Sequence, residues 1–200
     1  MEANMTHSVK HPLVWRLADV AGTGVEFVNV VMPEQGPLAN QEVLLSTDIP
    51  SPLDASMDIS WSDEDLDLFQ SLLHKMLDLN PYDADALQLN QPELVDVLHI
   101  VAAAHFIEPK DADEFLGEDI SSTHSEVDIG DLISVHTQGG FKSAVVADLD
   151  SIEAVCVLLE PLEIDGKDVL DIYDTFVVNK HNILPAEFGN VLPGDDAVIH

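Results

Sequence analysis

Positive charge is nearly absent from this sequence. The 200 residues include 7 lysines and arginines, with Arg16 as the single arginine, against 38 aspartates and glutamates, so the formal net charge is −31. Proteins that bind nucleic acid neutralise phosphates with clustered Lys and Arg. The basic residues here are scattered along the chain, so we predict no direct binding of nucleic acid.

Cysteine and long apolar runs are also scarce. Cys156 is the only cysteine, which excludes an intrachain disulfide, and its apolar neighbours predict a buried, unreactive thiol. No run approaches the roughly 18 apolar residues of a membrane-spanning helix. The first residues lack the basic and apolar regions of a signal peptide. We therefore expect no membrane contact and a cytoplasmic location, which for a viral chain means the host cytoplasm or the virion.

Recognisable motifs for catalysis, cofactors and metals are missing. There is no G-x-S-x-G motif, and carboxylates are too numerous for spacing to single out an acid–base pair. The segment Asp63–Asp67 alternates acids like a calcium loop, but Leu68 stands where that loop needs glycine. His99 and His105 are six residues apart and lie on different faces of a helix. We expect no enzyme activity, no cofactor and no dedicated metal site.

The apolar content nevertheless indicates a folded chain. Hydrophobic residues make up 46% and the mean hydropathy is +0.11, whereas disordered acidic chains are poor in apolar residues. A folded chain of this size exposes roughly 9,000 Å², or about one net charge per 300 Å². B-DNA carries roughly one charge per 100 Å² of its surface. Imitation of DNA therefore requires that the carboxylates cluster.

The hydrophobic patterns change along the chain and predict its organisation. Residues 1–60 contain strand patterns that include an expected third strand at 42–46, and they end in a proline-containing linker at 48–60. Residues 61–118 are helical and acidic. Polar, serine-rich residues 118–128 mark a boundary before an antiparallel β region at 129–187, and 188–200 form a tail.

The helical region contains two clear helices. The first follows Ser62, which precedes acids suited to a helix start, and ends near Asp78. The second begins at Pro92 and ends before Pro109. Shorter helices are expected at 83–89 and 111–117.

The C-terminal region contains short strands joined by glycine turns. Strands at 131–138 and 141–149 flank Gly139-Gly140, a third covers 153–159, and a fourth covers 169–178 after the turn Asp165-Gly166. We therefore predict an α+β fold with an N-terminal β-hairpin region, central helices, and a C-terminal small antiparallel β-sheet or barrel.

Acidic residues form several clusters in and around the predicted helices. Helix-start acids on a solvated face account for any one cluster, but not for the near absence of arginine, since ordinary surfaces mix both signs. The predicted partner-binding residues are Asp63, Glu64, Asp65, Asp67, Asp83, Asp85, Asp111, Asp113, Glu114, Glu118 and Asp119.

Three functions are compatible with this charge. The favoured one is an inhibitor of DNA-mimic type, whose carboxylates occupy a basic, nucleic-acid-binding surface of a partner protein. The alternative is a viral structural or assembly protein, either a virion component or an assembly chaperone, which would form homo-oligomers or particles. The third is adaptation to salt on a protein of unrelated function, which the single arginine and the many isoleucines argue against.

The net charge predicts that salt stabilises the fold. Like charges on the folded surface repel one another, and added salt screens this repulsion. The melting temperature should therefore rise between low and moderate sodium chloride in thermal unfolding followed by circular dichroism. A melting temperature that stays constant or falls over this range would contradict the prediction.

Overall fold

The computed structural model describes residues 13–19, 26–31, 58–77, 92–118 and 126–186. Its two helices are α1 (Asp63–Leu77) and α2 (Pro92–Phe106), and its strands are β1 (Val14–Asp19), β2 (Glu26–Val31), β3 (Asp58–Ser60), β4 (Lys110–Asp111), β5 (Leu132–Thr137), β6 (Gly140–Leu149), β7 (Glu153–Leu158), β8 (Leu162–Ile164), β9 (Lys167–Leu170), β10 (Thr175–Asn179) and β11 (Ile183–Pro185). These elements confirm an α+β fold. The strand predicted at 42–46 and the helix predicted at 83–89 lie outside the described residues.

A small N-terminal sheet precedes the helices. Its order is β2-β1-β3, with both pairs antiparallel, so the predicted N-terminal hairpin is present. The predicted linker at 48–60 is wrong at its end, because Asp58–Ser60 forms β3. There Ile59 lies opposite Trp15 and packs on the core, and Arg16 binds the Asp58 carboxylate 3.0 Å away. These contacts stabilise a strand where local sequence indicated none.

The C-terminal region is built on a six-stranded sheet of order β11-β5-β6-β7-β10-β4. Its pairs are antiparallel, as predicted, except that β4 runs parallel to β10. Strand β4 directly follows α2 and joins the edge of the sheet beside β10. After β4, Leu116 makes one isolated antiparallel bridge with Thr137 of β5. The predicted short helix at 111–117 is reduced to a 3-10 helix at Ala112–Glu114.

The single strand predicted at 169–178 is wrong, because a loop divides it into β9 and β10. In this loop the amide of Asp171 donates to the carboxylate of Asp174, and the amide of Asp174 donates to the carbonyl of Asp171. Tyr173 has a φ of 69°, which few side chains adopt. Aspartate side chains that bond their own backbone favour turns over strands, and this interaction outweighs the β propensity of the neighbouring apolar residues.

Two glycines allow the β5–β6 hairpin that the sequence predicts. Gly140 has a φ of 96°, in the region that favours glycine. Gly139 has another role, because a side chain there would collide with the backbone carbonyl of Glu163. The β8–β9 hairpin therefore lies directly against the β5–β6 turn.

The six-stranded sheet is buried on both faces. On one face Val145 and Val157 pack with the helices and the β1–β3 sheet. On the other face Cys156 packs with Leu162 and Leu170 of the β8–β9 hairpin. Cys156 is fully buried, as predicted, and burial raises the pKa of its thiol far above the ordinary value.

Helix α2 lies between α1 and the six-stranded sheet. Its apolar residues occupy most of its circumference, as expected of a helix covered on two sides. Neither helix in the described part of the chain is long and apolar enough to cross a membrane. On the sheet side, His99 stacks on Tyr173 with ring centroids 5.0 Å apart, and both of its ring nitrogens are buried without a partner among the described residues.

Replacement of His99 by phenylalanine should stabilise the fold. Phenylalanine retains the aromatic contact with Tyr173 and removes two buried polar atoms that lack hydrogen bonds. We expect His99→Phe to raise the free energy of unfolding by about 1 kcal/mol in chemical denaturation. The exposed His74 on α1 supplies the matched control, and His74→Phe should leave stability unchanged. A loss of stability in His99→Phe alone would show that the imidazole nitrogens are satisfied.

Candidate partner-binding surface

The start of α1 is fixed by a reciprocal pair of hydrogen bonds. The amide of Asp65 donates to the hydroxyl of Ser62 at 3.1 Å, and the amide of Ser62 donates to the carboxylate of Asp65 at 2.9 Å. This is a capping box, with aspartate in the place of the usual glutamate. It satisfies two amides that a helix start would otherwise leave unpaired.

The same carboxylate joins three elements of the fold. Its oxygens accept a hydrogen bond from the Nε1 of Trp15 on β1 at 3.2 Å and lie 2.9 Å from the Nδ1 of His105 on α2. Burial alone would raise the pKa of Asp65, but the hydrogen bonds from His105, Ser62 and Trp15 outweigh it, so the pKa lies below the ordinary value of 3.8. Asp65 is only 6% exposed. Although predicted to bind a partner, its carboxylate is occupied within the fold.

The contact between Asp65 and His105 places the start of α1, with the first predicted acidic cluster, beside the end of α2, a few residues before the second cluster. It joins the first turn of α1 to the last turn of α2, and Asp111 follows His105 by six residues, at most about 20 Å of extended chain. We call this region the acidic end. It comprises the exposed residues Asp63, Glu64, Asp67, Asp111, Asp113 and Glu114.

The other predicted residues stand apart from the acidic end or outside the description. Glu118 is exposed, and its backbone carbonyl lies 3.0 Å from the Nδ1 of His136, close to the β5–β6 turn. Asp83, Asp85 and Asp119 lie outside the described residues. Six of the predicted residues therefore lie at the start of α1 or within nine residues after His105, and the carboxylate of Asp65 is occupied within the fold.

Most positive charge in the described ranges is already bound elsewhere. Arg16 pairs with Asp58, Lys75 with Asp131, Lys110 with Asp174 and Lys142 with Glu160, and the ammonium of Lys180 donates to the backbone carbonyl of Asp150. Within the described ranges, Glu64, Asp67, Asp113 and Glu114 make no ion pair. Their negative charge is therefore not compensated by described lysine or arginine side chains.

The average charge density makes this grouping important. Spread evenly over a folded chain of this size, a net charge of −31 averages about one per 300 Å². At that spacing an even coat would be a poor imitation of DNA. Only a locally dense group of carboxylates could approach the charge density of a duplex.

Sequence reasoning missed a second group of carboxylates on the β8–β9 hairpin. Glu163, Asp165, Asp168 and Asp171 are all exposed there. The C-terminal third of the sequence is rich in acids, which indicated this group, but acids in predicted helices were favoured as partner-binding residues. The structure shows that the hairpin covers the sheet with its apolar side and exposes its acids.

Neither a metal centre nor a relative accounts for these carboxylates. The described ranges contain no group of three or more His, Cys, Asp or Glu side chains arranged to hold a metal ion. No protein-family model matches the chain, and no curated protein matches it either.

Replacement of Asp65 by asparagine should destabilise the protein in a pH-dependent way. The amide lacks the charge that His105, Ser62 and Trp15 stabilise, so we expect a loss of about 2 kcal/mol in the free energy of unfolding at neutral pH. Because the pKa of Asp65 is lowered on folding, its contribution is complete above 3.8 and is lost as the pH falls through the folded-state pKa. The stabilities of Asp65→Asn and the unmodified protein should therefore converge towards low pH.

The neighbouring Asp67 supplies the matched control. It is exposed on the same helix, so Asp67→Asn should change the free energy of unfolding by less than about 0.5 kcal/mol. Equal effects of the two substitutions would show that the buried contacts of Asp65 do not stabilise the helix start.

Proposed function

We propose that this protein binds a basic surface of a partner protein through its acidic end and so prevents that surface from contacting nucleic acid. The observation that supports the proposal is the grouping of exposed carboxylates at the α1 start and beside the 3-10 helix, while most described lysine and arginine side chains pair elsewhere. The proposed role is inhibitory binding without catalysis.

Carboxylates can replace phosphates at such a surface. Lysine and arginine form charge-assisted hydrogen bonds with both groups, and arginine binds either one through two parallel bonds. Carboxylates held on short, capped elements retain their spacing when the partner approaches, which reduces the entropy lost on binding. A net charge of −31 also accelerates encounter with a basic partner and repels nucleic acid.

The proposal can be tested with two variants of identical net charge. In the first, Glu64, Asp67, Asp113 and Glu114 are changed to their amides. In the second, the amides replace four exposed acids away from the acidic end: Glu126, Asp128, Asp148 and Glu153. The full chain is immobilised, basic proteins from a host-cell lysate are captured at low salt, and the nucleic-acid affinity of each purified captured protein is measured with and without the free chain.

The expected result is competition that depends on the acidic end. The unmodified protein should displace nucleic acid from the partner, and its affinity should fall steeply with salt. The first variant should bind roughly tenfold or more weakly than the second. Equal weakening would show that only net charge matters, and a partner that keeps its nucleic acid would contradict the inhibitory role. Recovery of the protein in stoichiometric particles would favour the assembly alternative.

A further inference from the structure

The β8–β9 hairpin has one apolar side and one exposed side. Leu162 and Leu170 lie opposite each other and are buried against the sheet, and Ile164 packs beside them. The turn Asp165-Gly166 has φ values of 52° and 72°, as in the hairpin turns that aspartate and glycine favour. The apolar side thus fixes the hairpin on the sheet and leaves its outer side open.

Negative charge is concentrated on the outer side. Glu163 and Asp168 are direct partners across the two strands, and both are exposed. Like charges in this position repel each other and destabilise a hairpin. Asp165 and Asp171 add two further exposed carboxylates, with Lys167 as the basic residue of the hairpin. A positively charged partner would relieve this repulsion.

Two exposed apolar side chains stand among these carboxylates. The register of the hairpin shifts so that Val169 has no partner across the strands, and its side chain is 37% exposed. Ile172 is 48% exposed in the loop that follows. This loop is held by hydrogen bonds between Asp171 and Asp174, so Ile172 remains on the surface.

The loop after the hairpin contacts β4, next to Asp111 of the acidic end. The carboxylate of Asp174 accepts hydrogen bonds from the amide of Asp171 and from the ammonium of Lys110, which precedes Asp111. Phe176, two residues after Asp174, pairs with Lys110 across β10 and β4. Ile172 therefore lies within a few residues of both groups of carboxylates.

On the basis of the function proposed above, we propose that Val169 and Ile172 form an apolar contact for the partner within this acidic surface. The fitting ligand is a segment of the partner protein in which lysines or arginines flank exposed apolar side chains. Its cations pair with Glu163, Asp168 and Asp171. Its apolar side chains cover Val169 and Ile172. An apolar centre with a charged rim is the usual arrangement of a protein interface, and it gives selectivity that charge alone cannot supply.

Two synthetic peptides separate the apolar contact from the charge. One has two lysines for each leucine, and the other has serine in place of every leucine. Affinities for the full-length protein are measured by fluorescence anisotropy at several salt concentrations. The leucine peptide should bind roughly three- to tenfold more tightly than the serine peptide. The ratio of the leucine-peptide affinity to the serine-peptide affinity should approach one in Ile172→Ser and should fall in Val169→Ser. The affinity of both variants for either peptide should still decrease with added salt.

Ile152 provides the matched control for these substitutions. It is 61% exposed, and its carbonyl accepts the amide of Lys180, so it lies beyond the other end of β10, a strand about 15 Å long. Ile152→Ser should keep the full ratio of affinities. Thermal unfolding verifies each fold, and Val169→Ser tests the proposal by itself if Ile172→Ser unfolds.

The outcomes also separate this inference from the proposed function. A ratio near one in the unmodified protein, or a full ratio in both Ile172→Ser and Val169→Ser, would overturn the apolar contact alone. Failure of both peptides to bind at low salt would contradict the proposed function as well.

Discussion

The arrangement of β1, α1 and α2 depends on the buried carboxylate of Asp65. It accepts hydrogen bonds from β1 and from the start of α1, and it contacts His105 at the end of α2. A buried charge is costly unless several partners bind it, and the lowered pKa of Asp65 shows that its partners favour the charged form. Asp65 thus stabilises the interior through its buried carboxylate, whereas the exposed aspartates of the same helix face solvent.

The position of Asp65 also determines where the exposed acids lie. Because it holds the end of α2 beside the start of α1, the chain that leaves α2 continues from that end into β4 and the 3-10 helix. The parallel pairing of β4 with β10 and the contact of Lys110 with Asp174 then fix this segment on the sheet. The positions of the exposed carboxylates of α1 and of the 3-10 helix are thus set by contacts of Asp65, Lys110 and the β4 backbone.

Sequence patterns predicted the elements whose causes are local. The capping sequence at Ser62, the proline at the start of α2 and the glycines of the β5–β6 turn act within a few residues, and the structure has these elements as predicted. The break at Tyr173 is an exception, because its cause, the bonds between Asp171 and Asp174, is local, and the prediction of one strand over 169–178 overlooked it. The strand at Asp58–Ser60 and the parallel β4 depend on distant partners. For the same reason Asp65 could not be distinguished from Asp63 or Asp67, because burial depends on Trp15 and His105, which are distant in sequence.

The distribution of positive charge connects the fold with the proposed function. Surface ion pairs contribute little stability, so the ion pairs of the described lysines and arginine contribute little to the free energy of folding. The larger effect of this pairing is electrostatic, because Arg16, Lys75 and Lys142 neutralise acids at other positions, whereas Glu64, Asp67, Asp113 and Glu114 pair with no described lysine or arginine. Repulsion among the remaining carboxylates favours any cation that approaches them. A partner that also covers Val169 and Ile172 would gain from removing apolar surface from water, so charge would govern its approach and apolar contact its selection.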